Sequence, residues 1–209
     1  MKNNKNKGFS LVEMIVTVLI VAVLATSSAL LYNIVQRRSY LKCAKNTVDA
    51  LNVARQAAMV RELGSDSGLV IYYYNRNYYA QVVFFDAKED KIEMRGNYNL
   101  GGGSLTFLYG KQSVAADSKM NKNSHDITLL TKASEIKTYV DNGDILLIMF
   151  NKNNGAMKLK STNPFIDTGA ALPDFEYLKI TRSTTGSTVN VDYSKIGFSD
   201  AGRAYLEYK

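Results

Sequence analysis

The chain offers few residues whose type and spacing suggest chemistry. Glu13 sits inside an apolar run from Phe9 to Leu31. A charge at the centre of a membrane helix costs about 2.5–3.5 kcal/mol on insertion scales, so a carboxylate in such a run calls for a function and a partner. His125, the single histidine, stands between Ser124 and Asp126. The trio matches nucleophile, base and orienter in one dimension only, and sequence neighbours rarely face one another, so no catalysis is expected from it. Asp141-x-x-Asp144 offers two acids, whereas calcium wants six to eight oxygens, so a solvated turn is the expectation. Gly101-Gly102-Gly103 lacks the Gly-Lys-Ser/Thr that completes a phosphate cradle and reads as a flexible loop. Cys43, the single cysteine, excludes an internal disulfide or a zinc cluster. It reads as a small packed hydrophobe, with intermolecular pairing the alternative. Tyr72, Tyr73, Tyr74, Tyr78 and Tyr79 either line an adhesive or stacking surface or alternate between strand faces. No catalytic residue, metal ligand or cofactor is expected.

The elements that carry these residues follow from charge and hydropathy. The formal net charge is +7 over 209 residues. Residues 1–62 carry nine Lys and Arg against three acids, and residues 63–209 carry 17 against 16. The basic character therefore belongs to the N-terminal third, and a nucleic-acid surface on the larger body loses support. A hydrophobic content of 46% excludes a disordered chain. The 23 residues from Phe9 to Leu31 are long enough, as a helix, to cross a hydrocarbon core of about 30 Å. A secretory signal has the same basic leader and apolar run. It also needs a small-residue cleavage site, and no Ala-x-Ala pattern precedes Arg37-Arg38. Lysines 2, 5 and 7 on one side are balanced by Arg37, Arg38, Lys42 and Lys45 on the other, so charge alone leaves the orientation open.

Gly8-Phe9-Ser10-Leu11-Val12-Glu13, after a short Lys-rich leader and before an apolar helix, resembles the type IV prepilin signal. That family comprises type IV pilins and the pseudopilins of type II secretion and competence systems. The resemblance implies that a prepilin peptidase cuts after Gly8 on the cytoplasmic side, that Phe9 becomes the N-methylated amino terminus, and that the helix is retained. It also implies an N-in, C-out precursor in the cytoplasmic membrane. In the filament, Glu13 would pair with the Phe9 amine of a neighbouring subunit. The implied partners are the peptidase, other pilin or pseudopilin subunits and the inner-membrane assembly platform, with an extracytoplasmic or cell-surface filament as the destination.

Beyond the apolar run no Gly or Pro occurs before Gly64. Leu41, Ala44, Val48, Leu51 and Ala58 form an amphipathic stripe opposite Lys42, Lys45, Asn46, Asp49, Asn52 and Gln56. One helix is expected over about residues 9–62, in a hydrophobic part (9–32) and an amphipathic stem (33–62). After Gly68 the period changes. Strands are expected at 69–74, 78–85, 92–95, 105–109, 127–130, 136–140, 145–150, 156–160, 177–181 and 188–193, with Asp141–Asp144 and Asn153–Gly155 as hairpin turns. The fold class is thus α+β: a long N-terminal helix packed on a mostly antiparallel sheet head, residues 63–209, behind a cleaved leader, residues 1–8.

Within the family the head resembles minor pilins and pseudopilins of the secretion H-component type. Ala54-Arg55, Ala57-Ala58, the Gly64–Leu69 turn, Phe150 with Gly155, and Gly202-Arg203 carry that resemblance. Two departures favour a minor subunit: no proline falls near Leu30, and a lone cysteine cannot staple the C-terminal region. The expected function is a non-enzymatic, minor structural subunit of a pilus-like filament. The alternatives are a secretion or competence pseudopilin and, in another class, a membrane-anchored binding module or adhesin.

Overall fold

The computed structural model describes residues 10–60, 66–86, 89–111, 117–158, 176–182 and 193–207. The chain divides into two compact units, residues 1–38 and 39–209. Its first element, helix α1 (Leu11–Val60), contributes to both. Nine strands follow among the described residues: β1 (Asp66–Tyr74), β2 (Asn77–Asp86), β3 (Lys91–Gly101), β4 (Leu105–Gly110), β5 (Ser118–Lys119), β6 (Ile145–Phe150), β7 (Tyr177–Arg182), β8 (Tyr193–Phe198) and β9 (Ala204–Glu207). Helix α2 (Ala133–Asp141) lies between β5 and β6. The class is α+β, a long N-terminal helix followed by antiparallel sheets.

Within residues 39–209 the strands form two sheets, ordered β3-β2-β1-β6 and β5-β4-β7-β8-β9, with every pairing antiparallel. One face of each sheet meets α1 in a shared core. The helix presents Tyr40, Ala44, Thr47, Leu51, Ala54 and Ala58 to it, all buried, at spacings of three and four, with Cys43 buried beside Ala44. The expected stripe is present, with Ala44, Leu51 and Ala58 in the core and Leu41 and Val48 packed at its margin, and the small residues at its centre let the backbones approach. The polar side opposite it also works. Asn46 Nδ2 donates to the Asn99 carbonyl (3.2 Å), and Arg55 Nε donates to the Ala201 carbonyl (2.7 Å). Asn52 donates to the Ala204 carbonyl (3.2 Å) and accepts from its N–H (3.1 Å).

The opposite face of the first sheet packs on α2 in a second core of Val70, Tyr72, Val83, Phe85, Ile136 and Val140, among others. Being covered on both sides explains why Val82–Phe85 and Ile145–Phe150 are continuous apolar runs with no alternation.

Several local expectations are corrected. Residues 136–140 are helical: Ala133, Ile136 and Val140 recur at helical spacing, and β-branched content misled the strand reading. The helix start is secured from elsewhere in the chain, since Asp90 accepts from Ser134 N–H (2.9 Å) and hydroxyl (2.8 Å). Asp141–Asp144 is accordingly no hairpin turn. Gly143, at φ +73°, ends a helix, with its N–H donating to the Val140 carbonyl (2.9 Å). Ile127–Leu129 is a 3-10 turn capped by Asp126, not a strand. After β6 the Asn153–Gly155 turn does occur, but only a single bridge, Phe150 to Met157, follows it among the described residues. Of the strand expected at 188–193, residues 188–192 lie outside the described residues, and β8 starts at Tyr193.

Candidate functional site

In the N-terminal unit, Ser10 precedes the first helical residue and Glu13 stands three residues on. Glu13 N–H donates to Ser10 Oγ (3.2 Å), and Ser10 N–H donates to Glu13 Oε2 (3.4 Å). This reciprocal pair is a capping box, and it satisfies two of the amides that any helix start leaves open. An acid in the first turn also suits the positive end of the helix dipole. The Ser-x-x-Glu spacing was legible in the sequence, so Ser10 is a site residue that its chemistry announced and the motif reading passed over.

Past the box the helix is apolar and unburied. Leu11–Ser28 has a mean hydropathy of 2.2, and none of it is buried by the rest of the chain. Leu11 is 77% exposed, and Leu31 and Val35 both 62%. The polar interruptions are turned inward: Thr17 donates to the Glu13 carbonyl (2.7 Å), Ser27 to that of Val23 (2.8 Å) and Ser28 to that of Leu24 (2.7 Å). Their hydroxyls thus present little hydrogen-bonding demand to an apolar surrounding. Glu13 is the sole side chain charged at neutral pH between Phe9 and Gln36. Gly8 and Phe9 lie outside the described residues.

Elsewhere the candidate constellations come apart. His125 Nε2 lies 3.0 Å from Oδ2 of buried Asp144, and Asn123 Nδ2 donates to its Oδ1 (2.7 Å). The imidazole also rests on the Tyr139 ring, 4.7 Å between centroids. Ser124 Oγ instead accepts from Asn75 N–H (3.3 Å), and Asp126 serves Thr128, so the apparent triad points in three directions. Asp141 pairs with Lys137 (2.9 Å), away from Asp144's partners, and no metal-binding group of three or more His, Cys, Asp or Glu occurs among the described residues. Gly101 and Gly102 take φ +72° and +71° to turn β3 into β4, and a side chain on Gly103 would collide with the Arg76 carbonyl. The triple glycine is a tight turn, not a cradle.

Cys43 is 1% exposed, and burial pushes its thiol up to about 12 despite the Thr47 hydrogen bond. It is a protonated, packed side chain. The tyrosines alternate as strand geometry requires: Tyr73 meets Tyr78 edge-on at 5.1 Å on one face, and Tyr72 stacks on Tyr79 at 5.8 Å on the other. Burial pushes the Tyr72 phenol up to about 12, with the Asp126 charge adding to it. Some of the head's cations are neutralised locally, as in Lys179–Asp117 and Lys195–Glu207, both 2.9 Å.

The N-terminal helix exposes an apolar surface that nothing among the described residues covers, and it is also the segment that known proteins share. Residues 3–29 match the prokaryotic N-terminal methylation motif. The N-terminus is type IV prepilin-like. No curated protein and no solved structure matches the chain. The motif supports a type IV pilin-like or pseudopilin protein, a structural rather than enzymatic class. It implies processing by a prepilin peptidase and assembly with other pilins, and the apolar helix fits a membrane anchor of such a protein.

Proposed function

We propose that the chain is a minor structural subunit of a type IV pilus-like filament. The peptidase cuts after Gly8, Phe9 is N-methylated, and the precursor waits in the cytoplasmic membrane with its leader inside and its head outside. The observation that carries this reading is the coincidence of the methylation motif at residues 3–29 with an 18-residue apolar helix window, none of it buried by its own chain. Such a surface has a lipid or a neighbour as its partner.

Glu13 supplies the assembly contact. Its capping bond uses Oε2, and Oε1 remains to meet the positive Phe9 amine of an adjacent subunit. In a low dielectric this attraction is strong enough to offset part of the desolvation of both groups. A contact of this kind is heterologous and propagates as an open helix.

Mass spectrometry of the mature N-terminus in native membranes tests the class. A chain beginning at methylated Phe9 supports it; an intact Met1, or a cut beyond residue 25, overturns it. Glu13→Ala is expected to be processed normally yet to fall at least tenfold in sheared filaments, and wild-type incorporation would remove Glu13 from assembly. Recovery of the chain in a secretion or DNA-uptake fibre instead of a surface pilus would assign it to the pseudopilins.

A further inference from the structure

The chain that follows the apolar run carries charge of one sign. No acid occurs between Glu13 and Asp49, whereas Arg37, Arg38, Lys42 and Lys45 fall within nine residues. Arg38 is exposed at the end of the first unit, and Lys42 and Lys45 are exposed at the start of the second. None of these three side chains has a hydrogen bond or an ion pair among the described residues. The stem bonds the strands through Asn46, Asn52 and Arg55 instead. Topology sharpens the contrast. Lys and Arg near the ends of a span bias those ends towards the cytoplasm. The filament reading places three leader lysines inside and these four cations outside. Charge kept outside against that bias calls for a counter-charge there. Helix α1 runs unbroken from Leu11 to Val60. At about 1.5 Å per residue, the four cations lie roughly 3 to 15 Å along it from Val35. That range covers a headgroup layer and about one Debye length past it.

We propose that Arg37, Arg38, Lys42 and Lys45 are an interaction surface for anionic phospholipid headgroups of the extracytoplasmic leaflet. The chemistry recognised is a phosphodiester, which guanidinium and ammonium groups pair with directly. Cations of one sign beside an apolar span suit a lipid surface, whereas a protein surface of balanced charge supplies no such excess of anions. A few cations do not hold a soluble domain on a bilayer, so the contact acts on a chain that the apolar helix already anchors. The inference rests on the filament reading for the choice of leaflet.

The full chain, purified from native membranes in mild detergent, tests it when offered equal phosphatidylglycerol and phosphatidylcholine. Mass spectrometry then counts the lipids retained. Wild type is expected to retain phosphatidylglycerol at least fivefold over phosphatidylcholine, and less at high salt. The combined Arg37→Gln, Arg38→Gln, Lys42→Gln and Lys45→Gln variant is expected to lower that preference at least threefold with the head's melting unchanged. Lys42→Arg with Lys45→Arg, which keeps the charge, is expected to match wild type. Any uncut leader is common to all these chains, so the differences report the four cations. No preference in wild type, an unfolded head in the glutamine variant, or displacement of the lipid by equimolar inorganic phosphate each overturns the inference. A wild-type preference in the glutamine variant overturns it too, and loss of that variant from sheared filaments would then assign the cations to a protein partner. A chain mass that still includes the leader overturns the filament reading, while the lipid difference decides the headgroup contact on its own.

Discussion

Two stretches of one helix obey opposite rules. From Leu11 to Ser28 the side chains are apolar and none is buried. From Tyr40 to Ala58 every third or fourth residue is buried, although several are only alanine, and the polar residues between them bond the strands. Hydropathy alone ranks the first stretch as the better core-former. Nothing among the described residues covers it, and that difference assigns stability to the head and leaves the N-terminal stretch for a partner outside the described residues.

The largest expected effect removes one side of the comparison. Residues 39–209 expressed alone are expected to stay in the soluble fraction after high-speed centrifugation, whereas the full chain sediments entirely with membranes. A truncated chain that still sediments with lipid would place a membrane contact in the head. A finer test makes the same deletion in both stretches. Leu51 is fully buried, and Leu51→Ala is expected to cost about 2–5 kcal/mol in head unfolding, monitored by circular dichroism. Leu19 is 62% exposed, and Leu19→Ala is expected to leave the head's melting unchanged. Equal effects would erase the distinction between the two.

A smaller effect concerns charge within the head. Asp117 accepts from the Tyr177 hydroxyl (2.6 Å) and from Lys179 (2.9 Å). Burial pushes its carboxyl up, but those two bonds and the lysine charges outweigh it and hold it below the usual 3.8. A group depressed in the folded state adds stability that is complete above its ordinary value and is lost as pH falls through its folded one. Asp117→Asn is therefore expected to lower the melting temperature of residues 39–209 at neutral pH and to flatten its decline below about pH 4. A parallel decline in both proteins would show that other carboxylates govern acid unfolding.

How much of this was legible depended on where each signal lives. The α+β class, the long helix and the central strands were readable because hydrophobic period and β-branched composition are local properties. Residues 136–140 were misread because β-branched content outweighed the helical spacing of Ala133, Ile136 and Val140, and the Asp90 bond that secures the α2 start comes from 44 residues away. The asparagines of the stem were read only as the face opposite the apolar stripe because nothing local tells Asn52 from a surface residue; Ala204, 152 residues distant, makes it a strand partner. At the N-terminus the motif was fully local, and so was Ser10, whose spacing to Glu13 spells a capping box. The His125–Asp144 pair was hidden by a nearer acid, Asp126, which turned to its own 3-10 turn.

The smallest effect has the opposite sign and comes from the head's own inverted rule. Where the N-terminal stretch exposes apolar groups, β2 buries a polar one: Gln81 is 6% exposed, and its Oε1 has no hydrogen-bond partner among the described residues. The cause lies in the neighbouring strand. The register passes from Ala80–Tyr98 to Val82–Arg95, so Gly96 and Asn97 stand against Gln81 alone, with Gly96 at φ +67°. Such a bulge bends an exposed edge strand away from further pairing and leaves the residue opposite it without a regular ladder. An unsatisfied buried oxygen costs about 1–3 kcal/mol, and a flexible thioether of similar length fills the same space without that demand. Gln81→Met is expected to stabilise the head by about 1 kcal/mol in urea unfolding while leaving membrane and filament fractions unchanged. A loss of stability would mean that the amide supports the bulge; a gain accompanied by reduced assembly would mean that the head keeps Gln81 for a partner, and the division between a stability unit and a functional unit would have to be redrawn.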